Sequence, residues 1–284
     1  MIQVLRLSKR QKFFIATVLV VLSLVAIRLG FWPPKIQWRF RAGGYAIFAT
    51  LVSLWALHDE DFSGIEWFML LILPIIFVVG AALTYPLLPV EVPQFLFWTL
   101  DTDTGLFLAA ILRASFLGFL ALAYYASLLT ENIFNVAALR TIQLFRAAHS
   151  TAFFLSLVSI LFLHLVVYSF HLPAYLNFLA ILILVFPLSL QSVWSINLEP
   201  KLSREVIGFS LTVSFVLAQL ALVLSFWPVT AFVFTLFQTV AFYELIGVVH
   251  YRLTDRLHRT LVNELVLVGV TLLVLTIFST SWSG

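Results

Sequence analysis

The hydrophobic and polar positions of this chain are segregated by segment, with long apolar runs broken by short polar connections. Apolar runs cover about 13–30, 42–57, 65–84, 106–129, 151–170, 174–194, 205–227, 229–250 and 262–281. A helix rises about 1.5 Å per residue, so runs of roughly 20 residues match a hydrocarbon core about 30 Å thick. The pattern predicts nine membrane spans and an all-α, polytopic helical membrane bundle. No connection reaches the roughly 50 residues that a separate soluble domain needs, so residues 1–284 are expected to form a single integral membrane domain.

One connection differs from the rest. Thr84 to Gly105, TYPLLPVEVPQFLFWTLDTDTG, is the long interval without lysine or arginine. Pro86, Pro89 and Pro93 remove backbone donors and Glu91 adds a charge, so 85–100 makes a poor spanning helix and is expected to cap the outer side of the bundle. The alternative is a tenth crossing, which would move Asp59, Glu60 and Asp61 outside and the cluster from Lys35 to Arg41 inside. It would also leave the basic N-terminus outside, against the bias of such segments. Within spans, Pro74 and Pro187 are expected to disrupt their helices.

Tryptophans collect at membrane interfaces, and Trp32, Trp38, Trp55, Trp67, Trp98, Trp194, Trp227 and Trp282 all fall at or just beyond the proposed helix ends. Arg140 and Arg146, then Lys201 and Arg204, then Arg252, Arg256 and Arg259 occupy every second connection after the fourth span. Basic connections stay cytoplasmic, which places the N-terminus in the cytoplasm, 84–105 and the C-terminus outside, and the protein in the plasma (inner) membrane. Arg28, Lys35, Arg39 and Arg41 run against this assignment. Arg6, Lys9, Arg10 and Lys12 precede the first run, but no small-residue cleavage pattern follows Ala26, so an uncleaved first span is expected. Residues 131–148 and 251–261 combine cations with apolar positions at helical spacing, as short helices lying among anionic headgroups do.

Composition sharpens the class more than the function. Charged residues make up 10% of the chain, against about 25% in an ordinary soluble domain. The net charge of +3 comes from short connections that act as retention signals, so nucleic acid is not an expected partner; anionic lipid headgroups are, and a membrane-protein partner is open. The lack of cysteine excludes disulfides, thiolate metal sites and cysteine nucleophiles. No phosphate-binding glycine loop, nucleophile elbow or dinucleotide fingerprint is present, and no motif points to a known family or names a cofactor.

Ionisable groups inside a membrane need a partner or a purpose. Arg113, about two turns into the fourth helix, either snorkels to the outer surface or meets Glu91, Asp101 or Asp103. His164, Tyr168 and His171 are spaced to share the outer face of the fifth helix; without an HExxH-type motif, interhelical hydrogen bonding is the reading and no metal site is assigned. Glu244, in the inner half of the eighth helix, is a candidate for ion coupling or for pairing with a nearby cation. These groups converge on an expectation: a protein handling a lipid-linked or small anionic ligand from the outer side, through 84–105, Arg113, His164, Tyr168 and His171. A non-catalytic membrane subunit or scaffold and a secondary transporter are the alternatives, and whether the protein is an enzyme is left open.

Overall fold

The computed structural model describes residues 8–28, 38–58, 66–95, 98–139, 143–199, 201–256 and 258–280. Among these residues the chain forms nine α-helices in the places where the apolar runs lie. They are α1 (Lys9–Arg28), α2 (Trp38–Leu57), α3 (Glu66–Thr84), α4 (Thr102–Leu139), α5 (Phe145–Ser169), α6 (Ala174–Asn197), α7 (Arg204–Leu224), α8 (Ala231–Leu253) and α9 (Arg259–Ser279). The protein is an all-α helical membrane bundle and an integral membrane protein. Seven of the helices are long and apolar enough to cross a membrane by the described residues alone; α2 contributes the shorter apolar stretch Ala42–Leu57, and α1 opens with Lys9, Arg10 and Lys12.

Several local expectations change. Residues 131–148 do not form a separate interfacial helix, because α4 runs on for 38 residues, about 57 Å, and takes 131–139 with it. Residues 251–261 are likewise not one amphipathic helix. Asp255 adopts a left-handed backbone with φ 53°, which ends α8 in a turn before α9 begins. Pro74 and Pro187 sit inside α3 and α6, which continue through them. The segment after α3 is not a tenth spanning helix: it is a single 3-10 turn, Tyr85–Leu87, and a two-residue antiparallel hairpin of β1 (Gln94–Phe95) and β2 (Trp98–Thr99). Trp32, Trp282, Lys35, Asp59, Glu60, Asp61 and Arg140 lie outside the described residues.

The helices gather into two compact units. The first holds residues up to Glu60 and Pro74–Leu129. There α1 buries Phe13, Ala16, Val20 and Leu24, one stripe at helical spacing. Ser53 of α2 shares a 2.9 Å hydrogen bond with the Tyr124 hydroxyl of α4, and Phe13 meets Tyr125 edge-on at 6.4 Å.

The second unit holds residues 61–73 and everything from Thr130 onward. Its most extensive packing is between α6 and α7, followed by α5 against α8. Lipid tails are as apolar as leucine, so helices in a membrane associate through close backbone approach and hydrogen bonds rather than through water exclusion. The buried serines Ser156, Ser159, Ser189, Ser192, Ser195, Ser210 and Ser214 supply both. Ser159, Ser210 and Ser214 return their hydroxyls to carbonyls one turn back, at 2.7–2.8 Å. Ser192 reaches Ser156, and Ser214 reaches Ser189, across helix pairs at 3.4 Å.

Candidate functional site

In the first unit, the acidic connection folds back on the start of α4. Val92 donates its amide to the Gly105 carbonyl at 3.2 Å, and Leu100 donates to Pro93 at 3.0 Å. Arg113 is buried, at 7% exposure, and donates to the Pro89 carbonyl. The expected guanidinium partner thus comes from the right segment but is a backbone oxygen; Glu91, Asp101 and Asp103 are exposed. Asp101 precedes α4, and the Thr104 hydroxyl bonded to Oδ1 holds its carboxyl below the usual aspartate range. This arrangement braces a cap and presents its carboxylates to solvent.

In the second unit, His164 and Tyr168 share the face of α5 that packs on Phe234, and Tyr168 lies 6.0 Å from His171 between ring centroids. His164 is fully buried, donates Nδ1–H to the Ile160 carbonyl at 2.9 Å and packs edge-on against Phe234 of α8. Tyr168 donates its hydroxyl to the Val229 carbonyl, tying the end of α5 to the connection before α8. His171 has left the helix: it lies exposed in the following turn with φ 47°. Glu244 is half-buried, and its Oε2 lies where a side chain on Gly269 of α9 would reach it, with a Cβ there only 3.0 Å away. Among the described residues no cation bonds it, and its buried Oε1 has no hydrogen-bond partner.

Two cavities of this unit lie at the other end of α5. A cavity of about 230 Å³ is walled by Phe153 of α5, Tyr243, Ile246 and Gly247 of α8, and Leu265 of α9. A second, of about 870 Å³, is lined by Arg146, Asn197, Thr254 and Arg256. His149, Ser150 and His250 line both, so the two form one cleft with an apolar compartment and a cationic one. The two imidazoles stack at 5.2 Å between ring centroids. Gly247 leaves open space where any other residue would place a side chain.

Local structure explains why cations and histidines meet here. The α5 N-terminus starts at Leu144 without a side-chain cap, and Phe145 and Arg146 of its first turn line the cleft at the positive end of the helix dipole. The opposing ends of α6 and α8 are closed on themselves. Leu198, in a left-handed conformation, donates to Trp194, and Thr254 returns both its amide and hydroxyl to the His250 carbonyl.

Ser195 Oγ lies 3.4 Å from His149 Nδ1, a pairing that resembles a nucleophile and its base. Ser195 is only 2% exposed, however, and its hydroxyl donates to the Ser192 carbonyl at 2.9 Å. Its proton is committed and its oxygen is closed to substrate, so the arrangement orients His149 rather than attacking a bond. Among the described residues no three histidine or acidic side chains converge as a metal set.

A family model described as "Protein of unknown function (DUF5656)" matches residues 23–279. The chain belongs to the DUF5656 family. No curated protein and no solved structure matches it. In this DUF5656 chain the sequence reading missed His149, the stacking of His250 on it, and Glu131, which is 0% exposed and accepts a 2.9 Å hydrogen bond from Gln191. A signal for Glu131 was present: it is an acid flanked by LLT and NIF, inside apolar sequence rather than beside a loop. His149 had none, because its polar neighbours Ser195 and His250 come from α6 and α8, far along the chain.

Proposed function

We propose that the protein binds an anionic amphiphile, a lipid-linked or lipid-like anion, in the cleft between α5, α6 and α8. The observation that carries this reading is the division of one cleft into an apolar compartment and a compartment bearing Arg146, Arg256, His149 and His250. An anion there gains charge-assisted hydrogen bonds from the two guanidiniums and the uncapped α5 amides, while an alkyl chain fits against Phe153, Ile246 and Leu265. The cleft shares its end of the helices with Arg146, Arg252 and Arg256, and basic connections are retained in the cytoplasm. The ligand therefore enters from the cytoplasmic side of a plasma membrane, the reverse of the side anticipated from the acidic connection.

The test uses purified full-length protein in zwitterionic nanodiscs and titrates a single-chain lipid phosphate against its phosphocholine counterpart. Wild type should prefer the phosphate. Each charge-assisted bond contributes about 1.5–3 kcal/mol, so Arg146→Ala with Arg256→Ala should weaken phosphate binding at least about tenfold. Gly247→Leu, which fills the apolar compartment, should weaken both ligands. Equal phosphate affinity in wild type and the double-arginine variant sinks the proposal.

A further inference from the structure

We propose that Glu131 of α4 and Gln191 of α6 form a proton-binding site, in which Glu131 is a carboxylic acid whose Oε2–H is donated to Gln191 Oε1. Both side chains are 0% exposed. Gln191 donates Nε2–H to Glu131 Oε1 at 2.9 Å, which leaves Glu131 Oε2 and Gln191 Oε1 as buried oxygens without a partner among the described residues. Both are acceptors, so neither can satisfy the other as an ionised pair. A single proton on Oε2 satisfies both and closes a two-bond acid–amide ring.

A buried carboxylate without a cation costs several kcal/mol, and the hydrogen-bond partner of Glu131 is a neutral amide. Hard cations collect about six oxygen ligands, and among the described residues no group of three histidine or acidic side chains gathers as a metal set. A proton needs only two oxygens.

Gln191 and Ser195 are four residues apart, on one face of α6, and Ser195 holds His149 at the cleft wall. His149 is thus the titratable group next along that face, stacked in turn on His250. The inference stands on the α4–α6 pair alone and does not depend on which ligand the cleft takes.

Infrared spectroscopy of the full chain in nanodiscs at mildly alkaline pH tests it. Wild type should show a carboxylic-acid carbonyl band that shifts in heavy water and is missing from Glu131→Gln, with other protonated acids cancelling in the difference. In Gln191→Leu the band should persist but move to higher frequency, because its hydrogen bonds are gone. Replacing choline by sodium should leave it unchanged. Superimposable wild-type and Glu131→Gln spectra, an unmoved band in Gln191→Leu, or loss of the band in sodium each overturns the proposal. Should Glu131→Gln fail to fold, the Gln191→Leu comparison, with the glutamate retained, decides alone.

Discussion

Gly105 shows how much one missing side chain can hold. A Cβ there would lie 2.7 Å from the Val92 carbonyl oxygen, a backbone atom that cannot swing away. Gly105→Ala should therefore cost about 1–3 kcal/mol, read as a lower melting temperature and faster proteolysis between residues 84 and 105. Arg113→Ala removes the donor to Pro89 and should expose the same segment to protease. Asp101 supplies a pH-dependent counterpart. Its carboxyl is held below the ordinary range by Thr104, so its contribution is fully present above that range and fades as the pH falls through the lowered value. The melting difference between wild type and Asp101→Asn should accordingly be small at neutral pH and vanish in acid.

At the scale of elements, two glycines on neighbouring helices make opposite predictions. Gly247 of α8 has nothing within 4 Å of a built Cβ, so Gly247→Ala gains helix propensity without a clash and should stabilise by up to about 1 kcal/mol. Gly269 of α9 accommodates the Glu244 carboxylate, and Gly269→Ala should lose that gain or reverse it. Glu244→Gln should not rescue Gly269→Ala, because the amide has the same size; Glu244→Ala should.

Thermal unfolding of the four variants separates the outcomes. The helices themselves were legible because a bilayer-length apolar run has few other uses. Their ends were less so: nothing polar interrupts 106–139 strongly enough to stop α4, and the turn at Asp255 depends on a backbone conformation that hydropathy does not encode. The site was the least legible. His149, His250 and Arg256 come together through packing of α5 against α8, whereas hydropathy drew attention to isolated polar residues such as Arg113 and His164, whose hydrogen bonds go to the backbone at Pro89 and Ile160.

For the whole molecule, orientation decides which compartment supplies the ligand. The chain has no cysteine, so single-cysteine labelling can be done without background. Asp255→Cys, in the exposed turn between α8 and α9, should react only from the cytoplasmic side. Phe226→Cys, at 79% exposure in the connection before α8, should react only from outside. The reverse pattern would turn the cleft to the other compartment while leaving its geometry intact.

The serine-lined packing of α5, α6 and α7 also bears on how this family can drift in sequence. Ser159 and Ser210 spend their hydroxyls on their own helices, so exchange for alanine removes little, whereas a larger side chain would prise the backbones apart. Descendants of this chain are free to change those positions in chemistry but not in volume. Ser, Ala and Gly should replace one another there across the family, while the lipid-facing positions of α9 exchange among all the large apolar residues.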